Sequence, residues 1–425
     1  MTLAMFAVFL VHVLLGLPLF ISLLVTALVG FLFVDPGMIP RLVPQQFFGG
    51  INAFSLMAIP LFILAGNLMN ASSLTERLMG LARLLVGHLR GGMGHVNVVS
   101  SVFFAGVNGS AVADTSALGS LLVPAMRKEG YSTAFAAGLT AGSSLIGPII
   151  PPSIFMILYA SLTNTSVGDL FLAGVIPGLI LGLAFMGMNV WYAWRQGLSK
   201  RSALPGLREL AIATIAAFPA LIAPFIIVAG IVMGFVTPTE SGALTALYVA
   251  FCGRLLGQLG LTELRRAIVD TARLTSAIFL IMAASAVVSW LLGYAEVPET
   301  FVALLEPFAD QQIMVLLMLS LVTFVTGMFM EEVSALMLLT PIFSPVAMMA
   351  GIDPVHLGII ITLNITIALI TPPMGACVFV AAAVSRLEIV SLFRTIWPFV
   401  LTALLVLILL IVFPSLTLWL PAVLG

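Results

Sequence analysis

Residues 142–162 read GSSLIGPIIPPSIFMILYASL, and residues 363–383 read LNITIALITPPMGACVFVAAA. Each stretch sets a Pro-Pro pair in the middle of an apolar run. Proline has no amide hydrogen and clashes with the turn before it, so a helix cannot pass straight through either pair. The first stretch therefore predicts a half-helix over 131–146, an interruption at 147–152 and a second half over 153–162. The second predicts a half-helix over 355–370, a break at 371–375 and a resumption to Ser385. A helix broken in this way exposes carbonyls at the end of its first half and amides at the start of its second. Carbonyls suit a small cation, and amide N-termini suit a carboxylate.

The two stretches lie 221 residues apart, and the same shift aligns much more. Gly106 meets Gly327, Val112 meets Val333, Pro124 meets Pro345, and Gly130 meets Gly351. Ile146 meets Ile367, Pro151-Pro152 meets Pro372-Pro373, and Pro177 meets Pro398. A colinear set of this length points to an internal repeat. The charges do not follow it: Arg127-Lys128 falls on Met348-Met349, and Thr165 falls on Arg386. Backbone landmarks kept while charges change sides are the mark of an inverted repeat, a pattern of secondary transporters.

Composition makes the bilayer the solvent. Of 425 residues, 61% are hydrophobic and 8% charged, against about 25% charged in soluble domains, and mean hydropathy is +1.24. At ~20 residues per crossing, the chain has room for roughly ten spans. The net charge of −1 and scattered cations exclude a nucleic-acid surface. Cys252 and Cys377 stand alone in apolar runs, which argues against a disulfide framework or a zinc site. The apolar stretch 1–34 lacks the basic start of a signal peptide. It is read as membrane-embedded, either one tilted helix or two pieces broken near Gly16-Leu17-Pro18.

All but one of the 16 Lys and Arg fall in one set of loops, around Arg77–Arg90, Arg127-Lys128, Arg195–Arg208, Arg254–Arg273 and Arg386–Arg394. The other set holds only Arg41 among the cations, with Asp35, Asp169, Glu240, Glu296, Glu299, Glu306, Asp310 and Asp353. The positive-inside rule makes the first set cytoplasmic. Two apolar segments then begin and end on one side. Residues 95–123, centred on Asn108-Gly109-Ser110, should be a re-entrant hairpin opening inward. Residues 313–349, centred on Glu331-Glu332, should be one opening outward. Irregular backbone at membrane depth must be buried in protein or line a cavity, so both tips are candidate site walls. The expected fold is an all-α polytopic membrane protein: an inverted repeat with two re-entrant helical hairpins and two broken helices. Its expected division is a scaffold of 1–93, 163–311 and 386–425, the last a single C-terminal helix, around a transport unit of 94–162 and 312–385. Stretches 75–89 and 261–274, amphipathic and basic, read as helices on the cytoplasmic surface.

Polar residues gather at the tips and breaks: Asn108, Ser110, Asp114 and Thr115; Thr140, Ser143 and Ser144; Asn364, Thr366 and Thr371. Their hydroxyl and amide oxygens are hard neutral ligands appropriate to Na⁺. Taken singly, each is equally well read as a bond between packed helices. Asp114, Glu331 and Glu332 are ionisable groups inside apolar sequence, a functional signal by default. Asp114 is read either as a cap of the returning helix or as a ligand. Glu331-Glu332 are read as facing a water-filled vestibule, or as holding a cation or proton.

The run Gly106-Val-Asn-Gly-Ser-Ala-Val-Ala-Asp-Thr-Ser-Ala-Leu-Gly119, with Gly147-Pro-Ile-Ile-Pro-Pro-Ser153, Thr371-Pro-Pro-Met-Gly375 and Ile59-Pro-Leu-Phe-Ile-Leu-Ala-Gly66, resembles the large membrane subunit of tripartite ATP-independent periplasmic (TRAP) transporters. The likeness extends over nearly the whole chain. It implies an elevator carrier in the bacterial inner membrane, driven by a Na⁺ gradient and importing a carboxylate such as a C4-dicarboxylate or sialic acid. Its implied partners are a periplasmic binding protein and a small four-helix membrane subunit. By the resemblance, Asn108, Gly109, Ser110, Ser143, Ser144 and Pro148 would build one Na⁺ site. Gly327, Asn364, Thr366 and Thr371 would build the other. Substrate would lie between them, among Ala111, Asp114, Thr115, Pro151, Pro152, Glu332, Ser334, Pro372 and Pro373. The alternatives are a stand-alone Na⁺/dicarboxylate symporter of related fold, an intramembrane protease using Ser110, and a passive channel. No His sits in a matching polar break to serve such a protease, and paired hairpins argue against a channel.

Overall fold

The computed structural model describes residues 1–198 and 204–425, and only the backbone of Leu14, Val107 and Asn108. Lys200 and Arg201, used above to orient the chain, lie outside the described residues. Everything described is helix or connection. The first half holds α1 Thr2–Leu14, α2 Leu19–Val34, α3 Ile39–Gly49, α4 Ala58–Ala71, α5 Leu74–Val86, α6 Gly92–Asn108, α7 Ala111–Lys128, α8 Thr133–Ser143, α9 Ile154–Thr163 and α10 Val167–Arg195. The second holds α11 Leu207–Val232, α12 Pro238–Leu255, α13 Leu261–Tyr294, α14 Val297–Leu305, α15 Gln312–Gly327, α16 Glu332–Met349, α17 Pro354–Ala368, α18 Ala376–Ser385, α19 Ile389–Val412 and α20 Ser415–Leu424. Among the described residues, six helical stretches are long and apolar enough to cross a membrane: Phe54–Ala71, α10, α11, α13, α16 and α19. The chain is a multi-pass membrane protein.

Local chemistry sets the helix ends. Ser110, Ser132, Ser153, Ser166 and Thr237 each accept a backbone N–H of the helix they open, and Glu331 and Asp353 do so with carboxylates. Helices α7 and α16 match at both ends under the 221-residue shift, as do the caps Ser132 and Asp353. Both Pro-Pro pairs interrupt helices where expected, and Pro151-Pro152 and Pro372-Pro373 are both cis.

Three expectations needed correction or were left open by the sequence. Residues 261–274 are not a separate surface helix but the start of α13, which runs on for 34 residues. The sequence between Leu261 and Leu292 contains no Gly or Pro to stop it. The C-terminal segment is not one helix either: Pro414 forces Phe413 out of helical backbone (φ −122°, ψ 77°), and α20 follows as a separate helix. At the N-terminus, the chain breaks between α1 and α2 at Gly16, whose φ is +72°.

Packing relies on small residues that let backbones approach. Phe399 of α19 lies over Gly138 and Gly142 of α8, where a Cβ would come within 2.7 and 3.0 Å of its ring. Tyr159 of α9 covers Gly358 of α17, where a Cβ would come within 2.6 Å. The largest buried cluster joins α6–α10 with α15–α19. Two smaller ones hold α4, α5, α11 and α12, and α1, α2 and α13. Beside the α5–α6 junction, the single Tyr131 hydroxyl proton is shared between the Gly91 carbonyl (2.7 Å) and Asn189 Oδ1 (3.0 Å), and Asn189 Nδ2 donates to the same carbonyl (3.0 Å). Asn189→Ala removes two of these bonds and leaves a hole beside Gly94. It is expected to cost about 2–3 kcal/mol, read as a lower thermal midpoint in detergent.

Candidate functional site

Two helix hairpins, α6–α7 and α15–α16, and two broken helices, α8–α9 and α17–α18, bring their irregular ends together. At the tip of the first hairpin, Gly109 adopts φ +58°, a left-handed conformation that favours glycine. Its Cα lies so close to the Pro152 carbonyl that a Cβ would collide with that oxygen. Hairpin tip and helix break are therefore seated on each other. Ser110 follows as the cap of α7, its Oγ accepting from Ala113 N (3.4 Å). In the second hairpin Glu331 occupies the matching position, and its Oε2 accepts from Val333 N and Ser334 N, both at 3.1 Å.

Behind the first tip lies a buried polar network. Asn97 Nδ2 donates to Thr140 Oγ1 (2.6 Å), Ser143 donates to Asn97 Oδ1 (3.0 Å), and Ser101 donates to Ser143 (3.1 Å). Ser144 donates to the Thr140 carbonyl (2.7 Å). Asp114 sits beside Ser101 and Ser144, but neither of its carboxylate oxygens makes a hydrogen bond of good geometry, and the residue is 1% exposed. It does not cap α7; Ser110 does. Behind the second tip, Asn364 Nδ2 donates to the Ser320 carbonyl (3.0 Å), while Asn364 Oδ1, Ser320 Oγ and Thr362 Oγ1 are buried without partners. Thr366 and Thr371 turn their hydroxyls back onto the Thr362 and Ile367 carbonyls. Buried oxygens left unpaired are costly, and a ligand that pairs them is favoured in proportion.

A cavity of about 510 Å³ opens where these ends meet. The α6–α7 hairpin contributes Ser110, Val112, Ala113 and Ser116; the α15–α16 hairpin contributes Gly327, Met330, Glu331 and Glu332. The second break adds Leu369, Met374, Gly375 and Ala376, and α13 adds Leu274. A larger hollow, about 830 Å³, lies at the turns 309–314 and 349–351 and gathers none of the breaks.

Of the residues singled out from sequence, Ser110, Gly327, Glu331 and Glu332 line the cavity. Ser143, Ser144, Pro148, Asn364, Thr366 and Thr371 are buried in the packing behind it, as are Ala111, Asp114, Thr115, Pro151, Pro152 and Ser334. Pro372 is half-buried and Pro373 exposed. The Asn108 side chain lies outside the described residues. Sequence reading missed Asn97 and Leu274. The first carried a signal, an amide inside an apolar run; the second, a leucine in an apolar helix, carried none. Among the described residues no three His, Cys, Asp or Glu are grouped to hold a metal ion.

Such a molecule, a multi-pass helical bundle whose irregular helix ends converge on a mostly apolar cavity carrying Ser110, Ser116, Glu331 and Glu332, has the build of a membrane transport protein. Residues 6–416 match the family model of the tripartite ATP-independent periplasmic transporter, DctM component. The sialic acid TRAP transporter large permease protein SiaM of Vibrio cholerae is 38% identical over 96% of this chain and 95% of its own. The C4-dicarboxylate TRAP transporter large permease protein DctM of Pseudomonas aeruginosa is 36% identical over 88% of this chain and 87% of its own. The crystal structure of the YdaH transporter of Alcanivorax borkumensis shares the fold, with a TM-score of 0.64 over 92% of this chain and 90% of that one at 15% identity. The chain belongs to the TRAP transporter large permease family, and it is a transport protein rather than an enzyme.

Proposed function

We propose that this permease imports a small organic anion across the bacterial inner membrane, coupled to a Na⁺ gradient, by an elevator movement. The observation that carries the reading is the convergence of two hairpin tips and a helix break on one cavity backed by buried, unpaired oxygens. In this reading the halves of the chain are inverted repeats. Residues 94–162 and 312–385 move as a unit against a scaffold of 1–93, 163–311 and 386–425. One Na⁺ is held by Asn108, Gly109, Ser110, Ser143, Ser144 and Pro148. A second is held by Gly327, Asn364, Thr366 and Thr371, where the unpaired Asn364 Oδ1 supplies a hard neutral oxygen. Substrate lies beside them, contacted or framed by Ala111, Asp114, Thr115, Pro151, Pro152, Glu332, Ser334, Pro372 and Pro373. The α18 N-terminus, opened by Gly375 with no side-chain cap, offers the Ala376 amide and the positive end of a helix dipole to a carboxylate, the Gly375 and Cys377 amides being bonded to the Thr371 and Leu369 carbonyls.

The family's tripartite organisation supports two partners, a periplasmic binding protein that delivers substrate and a small four-helix membrane subunit. Sialic acid and C4-dicarboxylates, named for the relatives, are the first substrates to test. Reconstituted with both partners, the protein should lose at least roughly tenfold of its uptake rate when the Na⁺ gradient is replaced by an equal K⁺ gradient. Uptake indifferent to Na⁺ would sink the coupling. Undiminished uptake without the binding protein would favour a stand-alone symporter.

A further inference from the structure

We propose that the groove between α2 and α13 binds an anionic phospholipid of the cytoplasmic leaflet, with Arg273 holding the headgroup phosphate and the apolar walls an acyl chain. The site is separate from the central cavity, and the proposal does not depend on what the permease carries.

The two helices run side by side in the same direction. Leu19 and Phe20, at the start of α2, lie against α13 between Val269 and Ile281. Further along, Phe31 stacks on Trp290 with ring centroids 5.7 Å apart. Between Phe20 on one side and Ala277, Leu280 and Ile281 on the other, the helices leave an apolar groove of about 720 Å³. Its one hydroxyl, on Ser276, donates back to the Ala272 carbonyl of its own helix (2.7 Å). Among the described residues, Arg273 is the only charged group in the lining.

Depth points to a lipid headgroup. Helix α13 has 34 residues, about 51 Å of helix, so its first turns project beyond a hydrocarbon core about 30 Å thick. Its last residue, Tyr294, stacks on Trp290 (5.5 Å), an aromatic pair of the kind that marks a membrane interface. Arg273 stands 21 residues before Tyr294, about 32 Å along the axis. With Tyr294 at one interface, Arg273 falls at the headgroup level of the other. That end of α13 also carries Arg265 and Arg266 and is the cytoplasmic one by the positive-inside rule.

The guanidinium is available. Its side chain is 78% exposed, and the nearest acid, Asp270, stands 3.7 Å away, beyond hydrogen-bonding distance. Arg266, 3.8 Å from Asp270, offsets that charge and leaves the trio net positive. Asp270 and Glu263 line a different hollow, with Asn67 and Asn70 of α4, and neither lines the groove. A guanidinium can hold two phosphate oxygens at once. A cation at headgroup depth above an apolar groove matches a phosphate joined to an acyl chain, and basic pockets between transmembrane helices on the cytoplasmic side are recurrent headgroup sites. A helix of a partner subunit would cover the apolar walls equally well; the arginine favours the lipid.

The test is thermal stabilisation of the full chain, with any co-purifying membrane subunit, in detergent with added lipid. Palmitoyl-oleoyl phosphatidylglycerol should stabilise it at a concentration at least about fivefold below that of palmitoyl-oleoyl phosphatidylcholine, which has the same chains and no net charge. Arg273→Gln should narrow that preference to about twofold or less. Arg254→Gln, which removes a charge at the end of α12, should keep it. Ala277→Trp, which fills the groove, should raise the phosphatidylglycerol concentration needed about fivefold or more. An equal response of the wild type to the two lipids, an undiminished preference in Arg273→Gln, its loss in Arg254→Gln, an unchanged response in Ala277→Trp, or the same stabilisation by inorganic phosphate would each overturn the proposal. A preference shown by the chain alone and lost in complex with the small membrane subunit would give the groove to that subunit and overturn it too. The wild-type comparison stands even if a variant does not fold.

Discussion

Gly109→Val is expected to lower uptake roughly 100-fold while the protein still reaches the membrane. Two costs combine. Position 109 holds φ +58°, which a β-branched residue adopts only under strain. A Cβ there also collides with the Pro152 carbonyl oxygen, and that oxygen belongs to backbone and cannot swing aside. Together these amount to about 3 kcal/mol or more, enough to lift the hairpin tip off the first helix break. The tip carries Ser110 into the cavity, so unseating it deforms the wall that substrate meets. Gly80→Ala is the control, since Gly80 lies in α5 with nothing within 4 Å of an added Cβ, and it should transport normally. Uptake per inserted molecule in proteoliposomes is the measurement. Near-normal transport by Gly109→Val would mean that the working protein does not depend on this seating.

A second large effect is expected from bridging the cavity. Ser110 comes from the first hairpin and Leu274 from α13, and both line the same space. If the hairpins and broken helices travel against a scaffold that includes α13, a covalent bridge between these positions must stop the cycle. Ser110→Cys with Leu274→Cys should be built with Cys252→Ala, because Cys252 is partly accessible, whereas Cys377 is fully buried. A short bifunctional methanethiosulfonate should then bring uptake down to background, a loss on the order of 100-fold, and a reductant should restore it. The double variant before bridging sets the baseline, and Leu274→Cys treated alike should retain transport. Full activity in quantitatively bridged protein would rule out movement between these two elements.

Much of the helical layout was legible in residue order because its causes are local. Pro-Pro pairs stop helices wherever they stand, and Ser132, Ser153 and Asp353 cap the segments that follow them. The misreadings came from weighting charge over backbone chemistry. Arg265, Arg266 and Arg273 suggested a surface helix ending near Leu274, yet nothing in the chain stops α13 before Gly293. Pro414 was a visible stop signal at the C-terminal end that the reading passed over.

What the sequence determined by itself was solvent, helix breaks and the polar residues clustered near them, since hydropathy, proline and capping act over a few residues. Which of those polar residues face a common space was decided only by the tertiary structure. Ser143, Asn364 and Glu332 look alike in sequence, as polar residues near tips and breaks. Packing buries the first in a closed hydrogen-bonded network, leaves an oxygen of the second unpaired, and sets the third in the wall of a cavity. The reason is physical: burial and pairing depend on neighbours brought together from distant parts of the chain, as when Leu274 and Ser110, 164 residues apart, line one cavity.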